Sequence, residues 1–188
     1  SDYRPVEQEY GSSVFPAVLY TEWKEQKLNF IDTPGADDFV GGVISALNVA
    51  DTAVMVVNAV RGVEVGTEII SRHAKKLNKP VIFVINQLDH EKANFEQTVE
   101  HAQASFGKKV VLVQYQGAGF NRVVDVLKME MYQWKPEGGK PDVLPIPDSE
   151  KEKAAELHNA LIEAAAENDE GLMELYFEKG SLSEDEMR

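Results

Sequence analysis

The sequence predicts an α/β domain with a doubly wound, mainly parallel sheet. Short runs rich in β-branched residues alternate along the chain with longer segments of helical period, the order expected when helices cover a sheet. Most of the runs are too continuously apolar to have a wet face, which argues for parallel strands covered on both sides. The chain has 188 residues, 43% of them hydrophobic, enough to build a proper core.

In chain order, residues 15–20, 28–31, 53–58, 81–86 and 110–115 read as strands. Residues 38–50, 64–78 and 94–106 carry helical spacing, with Pro80 and Gly107 placed where a strand begins or a helix stops. Residues 123–129 alternate and read as a further strand, and the Pro- and Gly-rich stretch 136–141 as a break. After Pro145 and Pro147, Asp148 or Ser149 can cap a helix running to about Glu167, followed by a second over 171–178. Ser183 with Glu186 three residues on has the pattern of a capping box. The expected division is therefore an α/β domain over 1–135 and an acidic helical subdomain over 136–188.

Composition narrows the function. Without cysteine there is neither a disulfide framework nor a thiolate metal site, and a cytoplasmic location is expected. The first residues lack the pattern of an export signal, and no apolar run reaches the ~18 residues of a membrane span. A net charge of −13 opposes broad contact with nucleic acid, so no sequence-specific DNA partner is expected. Residues 148–188 hold thirteen acidic side chains against four basic ones. Such a lobe fits either a solvated helical face or a basic protein partner.

Two short motifs carry the chemistry. Asp32-Thr33-Pro34-Gly35 follows an apolar strand, where a chain can offer a carboxylate to a metal and a backbone N–H to a phosphate. Taken alone it is equally an ordinary strand-to-helix turn. Asn86-Gln87-Leu88-Asp89 also stands at a strand's carboxyl end, where open α/β sheets bind ligands. One carboxylate such as Asp89 can accept both the N1–H and N2–H₂ donors of guanine, a pair that adenine lacks. That motif too has a bland reading, as a helix cap. Together the two supply groups a guanine nucleotide needs, in the right order on the right elements.

With these motifs the chain resembles the translation GTPases, and elongation factor G among them. The run Val6-Glu7-Gln8-Glu9-Tyr10-Gly11-Ser12-Ser13-Val14 is similar to their first switch, and Asp32 through Phe39 to their second. Residues 50–63 are similar to the strand and loop that follow, and the acidic region to the helical insert of that factor's nucleotide-binding domain, with His158, Leu161, Asn168, Asp169, Leu172 and Met173 among the matching positions. The resemblance implies GTP or GDP with Mg²⁺ as ligands of the complete protein, and the ribosome as partner in translocation. It also implies a contact between the acidic insert and the large-subunit stalk protein. Position by position, Ser13 falls where a Thr ligates Mg²⁺, and a Ser hydroxyl can do the same. Asp32 would hold a metal-bound water, Gly35 would donate its N–H to the γ-phosphate, and Asn86, Gln87 and Asp89 would hold the base.

Three departures qualify this. Ala36 stands where the family has the His said to orient the attacking water, and a methyl group cannot do that. Either neighbouring carboxylate, Asp37 or Asp38, could be offered as a substitute, at the cost of repulsion from the γ-phosphate. Gln87 replaces a Lys, which keeps some packing over the base and loses a charge near the phosphates. No Gly-x-x-x-x-Gly-Lys-Ser/Thr occurs in the sequence, so the N–H cradle for the phosphates is not in it and the chain is expected to be an internal piece of its domain, without bound nucleotide. The strand leading into that loop would sit between the strands at 28–31 and 53–58. His73, His90, His101 and His158 lack a metal-like spacing, and Trp23 and Trp134 read as packing residues. Two functions follow from the resemblance: a GTPase domain acting in translocation, or a ribosome-binding module that hydrolyses GTP slowly or not at all. An unrelated doubly wound enzyme or scaffold requires the switch-like runs to be accidental.

Overall fold

Among the described residues parallel pairing forms at one place. In the computed structural model β3 (Ala53–Asn58) and β4 (Val81–Asn86) lie parallel in register, Ala53 opposite Val81 and Asn58 opposite Asn86. All residues are described except Ser1, Lys108, Phe120, Asn168, Glu184, Met187 and Arg188. Asn168 of the insert-like positions therefore lies outside them. The chain divides into two compact units, Ser1–Phe106 and Gly107–Arg188.

The first unit opens with the six-residue helix α1 (Pro5–Tyr10) and a two-stranded antiparallel hairpin, β1 (Ala17–Trp23) and β2 (Gln26–Asp32). Its two-residue turn places Lys24 and Glu25 at positive φ, the mirror-image turn that suits the twist of a hairpin. A 3₁₀ turn (Asp37–Phe39) then leads into α2 (Val40–Val49), and α3 (Val65–Lys76) crosses from β3 to β4. Helix α4 (Phe95–Phe106) begins where Asn94 accepts a bond from Gln97 N. Helices α2 and α3 cover one face of the parallel pair. Val43, Leu47, Ala74, Ile70 and Leu77 pack there on Ala53, Met55, Val81 and Phe83, and the Phe83 ring stacks on Phe106 at 4.8 Å.

The opposite face departs from the expectation of a covered sheet. Val54, Val56, Ile82 and Val84 are 43–62% exposed. The expectation of a mainly parallel sheet also needs correction. Among the described residues β2 pairs only with β1, and β3 only with β4. Periodicity reports how apolar a strand is and not which strand lies beside it.

The second unit carries an antiparallel sheet in the order β5 (Gln114–Gln116), β6 (Arg122–Asp125), β7 (Glu130–Gln133), β8 (Asp142–Leu144). The apolar run at 110–115 thus contributes only its end to a strand, which pairs with β6 and not with a parallel neighbour. The alternating run at 123–129 is split by a turn, in which Lys128 N donates to the buried carboxylate of Asp125 and Met129 takes a positive φ. The break at 136–141 joins β7 to β8 within this one sheet. Helices α5 (Asp148–Ala166) and α6 (Glu170–Lys179) follow, the second capped by Asp169 accepting from Leu172 N. Ile162 and Ala166 pack with Leu182, Leu172 and Leu175. Ser183 and Glu186 exchange the bonds of a capping box. No helix among the described residues is long and apolar enough to cross a membrane.

Candidate functional site

The carboxyl ends of β3 and β4 build the better-defined half of the site. Asn58 and Asn86 close the parallel register, and Asn58 then knits the two loops together. Its Oδ1 accepts from Val60 N at 2.8 Å and Arg61 N at 3.2 Å, while its Nδ2 donates to Gln87 Oε1 at 2.5 Å. Ala59 N donates across to Asn86 O, and Asn94 N to Ala59 O, so the start of α4 is tied to the same edge. Gln87 has φ +61°, a left-handed conformation that an unbranched polar residue adopts at a cost of about 1 kcal/mol. It persists because its side chain is held by Asn58 and its carbonyl accepts from His90 N. Asp89 follows in that turn with its side chain exposed.

Gly62 shows how closely these loops are packed. It has φ +69°, and a Cβ there would lie 2.9 Å from Nδ1 of His101 on α4. Asn58 is the residue that sequence reasoning did not single out. Its signal was an amide side chain ending an otherwise apolar strand, at the same level as Asn86.

The other half lies at the open end of the hairpin. Asp32 ends β2 opposite Ala17, with an exposed carboxylate. The turn Thr33–Ala36 follows, its Pro34 buried and its Gly35 exposed. Pro16, just before β1, lies against α2 so closely that a Cβ on Gly42 would be 2.9 Å from its ring. No atom lies within 4 Å of where a Cβ on Gly35 would stand, so packing does not require a glycine there. Ala36 precedes the 3₁₀ turn, and its carbonyl accepts from Phe39 N at 3.0 Å. Ser13 is half-buried and donates its hydroxyl to Asp2 Oδ1 at 2.7 Å.

The sequence-predicted residues therefore fall into two groups. Asn86 and Gln87 are joined through Asn58 at the parallel edge, with Asp89 just beyond. Asp32, Gly35 and Ser13 border the hairpin, which belongs to a separate sheet. Among the described residues no three His, Asp or Glu side chains are grouped as a metal centre. Trp23 is not a packing residue. It is 60% exposed at the end of β1, with Lys24 Nζ 4.6 Å from the centre of its ring.

Residues 1–177 match the family described as the elongation factor Tu GTP binding domain. The chain belongs to that family. A second comparison agrees: over 189 aligned residues, 99% of this chain, it is 39% identical to an elongation factor G-like protein of Thermotoga maritima. A crystal structure from Thermus thermophilus superposes on 96% of the chain with a TM-score of 0.84 at 29% identity. The chain spans 27% of the length of each of these two relatives. The chain thus has the α/β fold of that GTP-binding domain family.

Proposed function

We propose that this chain is the guanine-nucleotide-reading part of an elongation factor G-like translation factor that acts with the ribosome in translocation. The observation that carries the reading is the Asn58–Gln87 bond at the carboxyl edge of β3 and β4. It fixes the turn from Asn86 to Asp89 where an α/β sheet presents its ligand-binding loops. Asp89 then reads the paired donors of guanine. Asp32 and Ser13 are hard oxygen ligands, and a Ser13 hydroxyl that donates its hydrogen bond to Asp2 keeps lone pairs for a cation. Mg²⁺ takes one or two protein oxygens and completes its shell with water and phosphate, so the lack of a three-ligand cluster among the described residues fits. Bound there, it would neutralise phosphate charge. The α/β unit through Phe106 serves as the nucleotide domain, and the acidic helices α5 and α6 as the insert, directed at the stalk protein. The edges of β2 and β3, unpaired among the described residues, support a phosphate-loop strand between them in the complete protein.

The test is base selection in a form of the protein that carries the phosphate loop. It should prefer GTP to ATP, and Asp89→Asn should lower GTP binding by about 10²-fold while raising that of xanthosine triphosphate, whose C2 carbonyl accepts what the amide donates. Equal binding of GTP and ATP, unchanged by Asp89→Asn, refutes the assignment. The 188-residue chain alone should show no GTP binding by calorimetry, because it has no cradle for the phosphates. A second reading is supported by Ala36: the domain closes on GTP and engages the ribosome while hydrolysing slowly or not at all.

A further inference from the structure

The segment similar to the first switch is organised around a carboxylate that the nucleotide reading does not use. Glu7 is 3% exposed. Its Oε2 accepts from Arg4 N at 3.3 Å, and its Oε1 from Val14 N at 3.2 Å and Phe15 N at 3.1 Å. One side chain thus joins the residue before α1 to two residues beyond it, closing the loop from residue 4 to residue 15. Gly11 turns the chain back at φ +72° with its N–H on Glu7 O. The Arg4 guanidinium lies 4.3 Å from the centre of the Phe15 ring and closes the same neck. A second tether runs outward: Tyr10 meets Phe39 edge-on, 6.3 Å between centres and 75° between planes. Phe39 ends the 3₁₀ turn after Ala36, so the tether joins the two switch-like segments.

We infer that Glu7 is a clasp which holds residues 4–15 closed, and tied to the Asp37–Phe39 turn through Tyr10, without nucleotide or metal. Every bond that closes the loop is internal to the chain, and the charged acceptor makes them stronger than neutral ones. The clasp also fixes the residues directly after Ser13. Only this consequence rests on the nucleotide reading: Glu7 positions the Ser13 hydroxyl in advance of the cation, so ligand binding needs less ordering of the segment.

The experiment is amide hydrogen exchange by NMR on the 188-residue chain with no nucleotide or metal added. Val14 and Phe15 should exchange at least about tenfold more slowly than in an unstructured peptide, and Glu7→Ala should remove that protection while Met55 and Val57 in β3 keep theirs. Exchange at peptide rates in the natural chain, or protection untouched by Glu7→Ala, overturns the clasp. Should Glu7→Ala also expose β3, the natural chain decides through scalar couplings between the Glu7 carboxyl carbon and the Val14 and Phe15 amides. Their presence supports the clasp and their absence refutes it. Because nucleotide is absent throughout, failure here leaves base selection by Asp89 standing, and failure there leaves the clasp standing.

Discussion

On the reading proposed above, the methyl group of Ala36 stands where hydrolysis needs a polar atom aimed at water. Of the two neighbouring carboxylates, Asp37 is turned elsewhere. Asp37 Oδ1 is directed at the start of α3, where a Cβ on Gly66 would lie only 2.8 Å away. A carboxylate beside a γ-phosphate would also be repelled. A water-positioning group contributes roughly 10² to 10⁴ in rate. In the nucleotide-competent protein, single-turnover GTP cleavage on ribosomes should therefore rise about 10²-fold or more in Ala36→His, with GTP affinity nearly unchanged. The natural protein cleaving at that enhanced rate, with nothing added by His, would show that another residue orients the water.

At the scale of elements, helix α5 is anchored to its sheet by a buried acid. Glu150 lies in its first turn, and its Oε1 accepts from Ala118 N at 2.5 Å. Beside it the Tyr115 hydroxyl is buried on β5, and His158 further along α5 meets Val126 O at 2.7 Å. Burial first, and the Glu150 carboxylate second, push the Tyr115 hydroxyl up to about 12. A phenol raised in the folded state above its usual 10 favours folding below pH 10, and this contribution is lost as pH rises from 10 through 12. In an alkaline titration followed by ring-carbon NMR, Tyr115 should ionise near 12 and not near the usual 10. Glu150→Gln should bring it part of the way down, since burial remains. Ionisation of Tyr115 at the usual 10 would contradict this packing.

The same scale shows what the sequence could reveal. Strands 53–58 and 81–86 and the helices between and after them were legible because an apolar run between turn residues defines a strand locally. Partner choice was not, since it depends on contacts far away in sequence. The run at 110–115 has the same composition as a parallel strand, yet only its last residues pair, with an antiparallel neighbour. In the site, Asn86 and Asp89 could be read from their place after a strand. Asn58 and Glu7 act through backbone groups supplied by other loops, and those bonds leave no periodic trace. Glu7 was visible only as one acid among several in a polar stretch.

Over the whole molecule, negative charge is concentrated on α5, α6 and the residues after them. Residues 148–188 carry a net −9 of the total −13, and Glu152, Glu156, Glu163, Glu167, Glu170, Glu174 and Glu178 are exposed on α5 and α6 or at their ends. Isolated surface charges of this kind add little to stability, even where Lys151 pairs with Asp148 in the first turn of α5. Their field instead extends about a Debye length, ~10 Å at 0.1 M salt, and acts on the rate of encounter with a basic partner. If α5 and α6 dock on the ribosomal stalk, association of the complete protein with ribosomes should slow as salt rises. Replacing Glu163, Glu167, Glu170 and Glu174 by Gln should slow it about tenfold at low salt and little at about 0.5 M, while dissociation changes less. Stopped-flow association at several salt concentrations measures this, with thermal unfolding to verify that the variant remains folded. A salt dependence identical in the natural and neutralised proteins would remove the acidic lobe from the docking step and leave its charge a matter of solubility.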